Sequence, residues 1–147
     1  MGILDTRPEE RFDRLTRLAA AVFDVPMAMV SLVDRDRQWL KSTRGMGIRE
    51  TSREVSFCAH AILRREVMVV PDALLDPRFA DNPFVSGEPR IRFYAGCPLF
   101  TPSGSCVGTL CVLDTRPHEP DGTAIRHLQD LGVMVERELA APSQAGS

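Results

Sequence analysis

Lysine is nearly missing from this 147-residue chain, and aromatic residues are few. Lys41 is the only lysine among 18 basic residues, and Phe, Trp and Tyr together make up 6% of the composition. The 18 basic residues stand against 20 acidic ones, which leaves a net charge of −2. Without a basic excess the chain has no field that attracts nucleic acid or an anionic membrane surface, so we expect neither as a partner.

Membrane-spanning and secretory segments are also missing. No apolar run reaches the roughly 20 residues that cross a bilayer, and no apolar signal segment opens the chain. These absences predict a cytoplasmic protein without a membrane partner. Its 147 residues and 44% hydrophobic content suit one domain. A chain of this length buries about two-thirds of its unfolded surface.

The four cysteines lack the spacing of a metal finger or a redox pair. Cys58, Cys97, Cys106 and Cys111 stand in apolar segments, and none belongs to a C-x-x-C motif. This usage predicts buried free thiols.

The strongest strand pattern lies within Ile91–Asp114. Apolar runs at residues 92–100 and 105–113 flank Thr101–Gly104, a Pro-Ser-Gly turn, and together predict an antiparallel hairpin. Neither run alternates apolar with polar residues, so both faces should be covered. With a four-residue loop, the predicted register places Leu99 opposite Cys106, Cys97 opposite Gly108 and Tyr94 opposite Cys111.

Side chains alternate across a strand, so the hairpin has two faces. The face that suits helix packing, here the helix face, holds Phe93, Ala95, Cys97, Leu99, Cys106, Gly108, Leu110 and Val112. The other, here the Tyr94 face, holds Tyr94, Gly96, Pro98, Phe100, Val107, Thr109, Cys111 and Leu113. Small residues beside an aromatic leave a hollow that can hold a ligand. The alternative is that Gly96 only makes room for a closely packed loop.

Helical periodicity predicts a helix near each end of the chain. Thr6–Glu9 is a capping box, and a first helix is predicted over residues 7–23. Its apolar positions are Phe12, Leu15, Leu18, Ala19, Val22 and Phe23. Asp121 is the predicted N-cap of the last helix. The apolar stripe of that helix is Ile125, Leu128, Leu131, Val135 and Leu139, with Gly132 beside it.

Shorter elements are predicted between these helices. Apolar runs indicate strands at residues 27–33, 37–43 and 67–70, and a short helix at 57–63. Gly45, Gly47 and Thr51-Ser52 indicate a loop. Turn signals crowd residues 72–89, which predicts an ordered loop in which Asp72 caps one helical turn. The expected apolar anchors of this loop are Leu74, Leu75, Phe79, Phe84 and Val85.

Four segments of the chain, in order, resemble a GAF domain, the small-molecule-sensing module of bacterial signalling proteins. They read LDTRPEERFDRLTRLAAAVFDVPMAMVSLVDRDRQWLKS, REVSFCAHAIL, VVPDALLDPRFADNPFVSGEPRIRFYAGCPL and GTLCVLDTRP. The resemblance covers about residues 4–139 and is closest to the GAF domains found ahead of sensor histidine kinases and diguanylate cyclases. It implies a GAF domain at residues 4–140. Residues 141–147 are small and polar, which predicts a flexible C-terminal tail.

The resemblance implies an α+β fold, PAS-like within the broad α/β class. A central antiparallel sheet of five to six strands carries the terminal helices on one face. Short helices and a long loop cover a pocket on the other. Related domains bind cyclic nucleotides, bilins, haem or small metabolites, and commonly dimerise through the terminal helices. The implied partners are an unidentified small molecule, a second copy of the chain, and a kinase or cyclase output domain outside it.

The predicted pocket lies between the Tyr94 face and a lid. Its residues are Phe57, Cys58, His60, Phe79, Phe84, Arg92, Tyr94, Thr109 and Cys111. The prediction is a non-enzymatic, small-molecule-sensing regulatory domain with no catalytic residue and no metal site. The carboxylates of Asp72, Asp76 and Asp81 stand in turn sequences, where capping explains them better than metal binding. The cations of Arg78, Arg90 and Arg92 could receive an anionic ligand or form ion pairs.

The sequence requires no cofactor. Bilin-binding GAF domains attach their chromophore through a cysteine followed directly by histidine, whereas Ala59 separates Cys58 from His60. His60 is the only histidine in the lid region, and one histidine is not a haem signature.

Two other functions stay open. The enzymatic alternative is reduction of free methionine sulfoxide, which needs a low-pKa thiolate beside a resolving cysteine. In the predicted register Cys97 and Cys106 lie on the same face of the hairpin, and Cys111 lies on the other. The third possibility is a dimerisation module without a ligand, since the stripes of both terminal helices could serve an interface.

Overall fold

The computed structural model describes residues 10–34, 37–44, 50–52, 66–87 and 90–140. Its elements, in chain order, are α1 (Glu10–Phe23), β1 (Met27–Asp34), β2 (Arg37–Arg44), β3 (Glu50–Ser52), β4 (Met68–Val70), a 3₁₀ turn (Ala73–Leu75), α2 (Pro83–Ser86), β5 (Phe93–Phe100), β6 (Cys106–Asp114) and α3 (Gly122–Ala140). The predicted capping box, the small helix at 57–63 and the tail at 141–147 lie outside the described residues. Among the described helices, none is long and apolar enough to cross a bilayer.

The six strands form one antiparallel sheet in the order β3-β2-β1-β6-β5-β4. This confirms the predicted α+β architecture with a sheet of five to six strands. The loop predicted at Thr51-Ser52 is wrong, because both residues belong to β3 and pair with Gln38 and Arg37 of β2. An edge strand of three polar residues has no apolar pattern by which the sequence could indicate it.

The hairpin of β5 and β6 has a different register from the predicted one. Leu99 lies opposite Gly108, Cys97 opposite Leu110 and Tyr94 opposite Leu113. The nitrogen of Thr101 donates to the carbonyl of Ser105 at 2.9 Å, so the turn that this hydrogen bond closes contains three residues, 102–104, one fewer than predicted. Gly104 in this turn has a φ of 91°. A bulge between Leu99 and Phe100 moves the pairing by one more residue. Because side chains alternate with a period of two residues, a register slip of two residues leaves the side chains of the hairpin outside the bulge on their predicted faces.

The helix face of the sheet is covered by α1 and α3. The helix-side cluster contains Phe12, Leu15, Ala19, Ala20, Phe23, Val25, Ala28, Val30, Leu32, Phe93, Ala95, Leu99, Leu110, Val112, Leu128, Leu131 and Val135. Leu18 and Val22, predicted for the apolar stripe of the first helix, are instead 45% and 38% exposed. They lie at the margin of a stripe that is narrower than the sequence pattern suggests.

A hydrogen bond from α1 holds one end of α3, and a local cap closes the other end. The guanidinium of Arg11 on α1 is buried, and its Nη1 donates to the carbonyl of Glu138 in the last turn of α3 at 3.0 Å. At the other end, Oδ1 of Asp121 accepts a hydrogen bond from the nitrogen of Ala124 at 2.8 Å, which confirms the predicted N-cap.

The Tyr94 face is covered by the segment between β4 and β5. The Tyr94-side cluster contains Met27, Met29, Met68, Val70, Ala73, Phe79, Val85, Ile91, Tyr94, Cys111 and Leu113. Oδ1 of Asp72 accepts from the nitrogen of Leu74 at 3.1 Å, so the predicted cap is present. The capped turn directs Ala73 inward and leaves Leu74 and Leu75 48% and 82% exposed, so these two leucines were wrongly predicted as anchors.

Candidate functional site

A pair of buried hydroxyls lies on the Tyr94 face. Oγ of Ser31 on β1 and Oγ1 of Thr109 on β6 are 2.8 Å apart, and both residues are fully buried. The register places Ser31 directly opposite Thr109. Thr109 is a predicted site residue, whereas Ser31 was missed. The sequence signal that could have indicated Ser31 is that its hydroxyl interrupts the apolar run of residues 27–33.

The phenol of Tyr94 fills the space over Gly96. A Cβ atom added at Gly96 would lie only 2.7 Å from Cζ of Tyr94, and the Tyr94 side chain is fully buried. The hollow predicted beside this glycine is therefore occupied by the neighbouring ring. The glycine makes room for that ring, so a ligand at this point would have to displace it.

The remaining predicted site residues divide into two groups. Phe79 and Cys111 are fully buried in the Tyr94-side cluster, so the structure brings them onto the same face as Tyr94 and Thr109. Phe57, Cys58 and His60 lie outside the described residues, as does the side chain of Phe84.

Arg92, predicted as a ligand contact, is occupied by the chain itself. Its Nη1 donates to the carbonyl of Val85 at 3.0 Å and to that of Ile91 at 3.1 Å. The half-buried guanidinium thus ties the end of α2 to the segment that leads into β5.

The loop carboxylates cap turns, as predicted for Asp72 and Asp76. Oδ1 of Asp76 accepts from the backbone nitrogen and Nε of Arg78 at 2.9 and 3.0 Å, and Oδ2 accepts from Nη2 at 2.7 Å. Hydrogen bonding to this carboxylate raises the pKa of Arg78. Within the part of the chain that the structure describes, no three His, Cys, Asp or Glu side chains gather as they would around a metal ion.

A second polar cluster, absent from the sequence prediction, lies where β6 ends. Oδ1 of the buried Asp114 accepts from the nitrogens of Thr115 and Arg116 at 2.6 and 3.3 Å. Its Oδ2 is 2.5 Å from Nε2 of His118, whose ring packs on Phe93 with centroids 5.0 Å apart. The sequence predicted only a polar break here, because nothing local shows that the break folds back onto a strand-terminal carboxylate.

His118 also lines two clefts at this end of the sheet. The larger, of about 810 Å³, is formed by residues 71–72, 75–78 and 117–119. The smaller, of about 230 Å³, is formed by residues 22–23, 118–121 and 124. Both lie beyond the strand ends, away from the Ser31–Thr109 hydroxyl pair.

Comparison with known protein families matches the GAF domain over residues 7–139. The chain belongs to the GAF domain family. It is 49% identical over 120 residues to a cyclic di-GMP phosphodiesterase of Pseudomonas aeruginosa, a match that covers 82% of this chain and 20% of that protein. The chain thus spans about a fifth of the length of this curated relative.

Solved structures share the GAF fold. The GAF domain of an Acinetobacter phosphoenolpyruvate-protein phosphotransferase superposes with a TM-score of 0.74 at 18% identity, over 95% of this chain and 89% of that one. A free methionine-R-sulfoxide reductase of Neisseria meningitidis, solved with its substrate, gives 0.72 at 21% identity, over 91% and 78%.

The described cysteines of this GAF domain are poorly placed for thiolate chemistry. Burial, and to a smaller extent the nearby Glu136 and Cys106, raise the pKa of Cys97 to about 12. Cys97 and Cys106 belong to the helix face, whereas Cys111 is buried on the opposite face. At neutral pH the sulfur of Cys97 is therefore a protonated thiol and a weak nucleophile.

Proposed function

We propose that this GAF domain is a non-enzymatic regulatory module that binds a small molecule on its Tyr94 face. The Ser31–Thr109 hydroxyl pair carries the proposal. Apolar side chains would fill this position in a purely structural sheet, because burying hydroxyls costs free energy that their mutual hydrogen bond only partly offsets. Convergent polar groups on an apolar surface are typical of ligand sites.

The residues proposed for the site favour an uncharged ligand with hydrogen-bonding groups. The floor offers two hydroxyls and the phenol of Tyr94, and the surroundings are apolar side chains such as Phe79. Two cations of the segment that covers this face are already engaged, Arg92 by two backbone carbonyls and Arg78 by the carboxylate of Asp76. Phe57, Cys58, His60 and Phe84 are proposed to complete the lid.

Displacement of the Tyr94 ring is the proposed signal. The ring lies along β5 over Gly96, while the other face of the same strand contacts α3 through Cys97. A ligand that favours a different ring position favours a different position of β5, and hence of α3, as a population shift. The closing of the lid and the position of the terminal helices would then depend on the same conformational equilibrium.

The proposed setting is a cytoplasmic signalling protein whose output enzyme lies outside this chain. The phosphodiesterase relative suggests an output in cyclic di-GMP turnover, beside the kinase or cyclase implied by the sequence. Homodimerisation through α1 and α3 is proposed as well. These helices expose Leu18, Val22, Val133 and Met134, which are 45%, 38%, 47% and 46% accessible. Sedimentation velocity at low concentration tests this, and a strict monomer contradicts it.

Native mass spectrometry of the purified domain tests the ligand proposal. We expect a co-purified small molecule in the wild-type protein and its loss from a Ser31→Ala/Thr109→Val variant. The control is Gln129→Ala, an exposed change on α3 that leaves the Tyr94 face intact and should keep the ligand. A wild-type protein with no bound mass, or a ligand that the double variant retains, would refute binding at the hydroxyl pair.

The reductase alternative is less well supported, since this chain resembles the Neisseria enzyme in its fold alone. Titration of the native protein with a thiol reagent distinguishes the two functions. Four unreactive cysteines exclude the reductase, whereas two fast-reacting cysteines together with turnover of free methionine sulfoxide would replace our proposal.

A further inference from the structure

The 810 Å³ cleft at the end of the sheet has a rigid frame. One wall, residues 71–78, is held by a 2.5 Å hydrogen bond from the nitrogen of Ala73 to the carbonyl of Arg92. The nitrogen of His118 on the other wall donates to the carbonyl of Pro71 at 3.2 Å and so joins the two walls. The imidazole is held in turn by the buried carboxylate of Asp114. A cleft fixed in this way needs little ordering when it binds a partner.

The apolar part of the cleft is unusually exposed. Leu75 lines it and is 82% accessible, the highest exposure among the large hydrophobic side chains that the structure describes. Three prolines, Pro71, Pro77 and Pro117, add rigid apolar surface around it. Asp72 caps the turn that carries Leu75, so the leucine is presented from a fixed backbone. An exposed leucine on a rigid turn marks an interaction surface better than one on a fraying loop.

The polar part of the cleft favours cationic donors. Among the described residues that line it, Asp72, Asp76 and Glu119 contribute three carboxylates, and Arg78 contributes one guanidinium, which Asp76 already pairs. Nε2 of His118 lies 2.5 Å from Oδ2 of the buried Asp114, so this ring atom is already engaged. Among the described side chains that line the cleft, carboxylates therefore outnumber guanidinium groups, and the carboxylate of Glu119 belongs to an exposed residue.

We propose that this cleft docks a basic, apolar segment of a partner protein. An aliphatic or aromatic side chain of the segment packs on Leu75 and the three prolines. Lysine or arginine side chains of the segment donate to the carboxylate of Glu119. This surface is separate from the proposed ligand site, since it lies beyond the strand ends and shares no residue with the Ser31–Thr109 pair.

Peptide selection tests the proposal although the partner protein is unidentified. A random dodecapeptide library displayed on phage is depleted on a Leu75→Ser variant and then selected on the wild-type protein. We expect enriched peptides that combine lysine or arginine with large apolar residues. By fluorescence polarisation, Leu75→Ser should weaken a synthesised peptide about tenfold or more, and Glu119→Gln about threefold. Both substitutions are at exposed positions, and thermal melts check that each variant is folded.

Two control variants and four possible outcomes decide whether the proposal holds. Gln129→Ala and Asp130→Asn, exposed changes on α3, should leave the dissociation constant unchanged, and added salt should weaken binding. The proposal is overturned if nothing is enriched, if the enriched peptides are acidic or uncharged, or if Leu75→Ser leaves binding intact. It is also overturned if Leu75→Ser abolishes self-association in sedimentation, because a second copy of the chain would then be the occupant.

Discussion

The side chain of Glu136 on α3 holds the backbone of β5 through a hydrogen bond from the nitrogen of Phe100 to Oε2, at 2.7 Å. Phe100 follows the bulge in β5, where the strand ladder is locally disrupted, and the carboxylate supplies an acceptor at that point. The same strand carries Tyr94 on its opposite face. The last helix is therefore fastened to the strand that forms part of the proposed ligand site.

Removing this carboxylate should destabilise the domain. Glu136→Ala leaves a partly buried N–H without its acceptor, so we expect the free energy of unfolding to fall by about 1–3 kcal/mol. Glu136→Gln keeps an acceptor oxygen and should cost about 1 kcal/mol or less. Urea denaturation measures both, with Asp130→Asn on the exposed side of α3 as control. Equal losses for the alanine and glutamine variants would show that the hydrogen bond to Phe100 is not the cause.

Gly132 on α3 should resist substitution although it lies within a helix. A Cβ atom there would lie 2.8 Å from Sγ of Cys97, closer than real contacts allow. Alanine normally stabilises an interior helical position by about 1 kcal/mol relative to glycine. We expect Gly132→Ala to be destabilising nonetheless, and to become neutral or stabilising in a Cys97→Ala background. A double-mutant cycle by urea denaturation measures this reversal, and additive effects would disprove the clash.

The division of the sheet into two faces could be predicted because it depends only on the two-residue period of a strand. Tyr94 and Cys111 share one cluster, while Phe93 and Leu110 share the other, as the alternation requires. The register could not be predicted, since it depends on a bulge that leaves no mark in the sequence. The error of two residues did not change the faces, because two is the period itself.

The polar details of the site depend on contacts between distant residues. Ser31 and Thr109 are 78 positions apart, and Glu136 is 36 positions from Phe100. Local patterns show each residue as a hydroxyl in an apolar strand or a charge on an amphipathic helix. Only the packing of strand on strand and helix on sheet shows which polar group faces which. The space over Gly96 is a similar case, because a glycine beside a tyrosine predicts either a hollow or a ring that fills it.

The hydroxyl pair should behave as one unit in stability measurements. Ser31→Ala leaves Oγ1 of Thr109 buried without this partner, and Thr109→Val does the same to Ser31, so each should cost about 1–3 kcal/mol. The double variant removes both polar groups and should cost clearly less than the sum. Thermal and urea unfolding measure the cycle. Full additivity would mean that the 2.8 Å contact contributes nothing of its own.

The thiol of Cys97 should make the domain less stable in alkali. Its pKa in the folded protein is about 12, raised from 9.0 chiefly by burial and then by Glu136 and Cys106. The folded protein therefore keeps a proton that the unfolded chain loses above pH 9.0. Stability that is fully present below this pH declines as the pH rises towards about 12.

Comparison with a Cys97→Ala variant isolates this effect from other groups that titrate in the same range. We expect the difference in unfolding free energy between the wild type and the variant to shift by about 1–2 kcal/mol between pH 8 and pH 10.5, to the disadvantage of the wild type. Urea midpoints at these two pH values measure it. Because Cys106 and Cys111 are present in both proteins, their titration cancels. Parallel pH profiles would show that Cys97 ionises as freely in the folded domain as in the unfolded chain, which would reopen a redox role for this thiol.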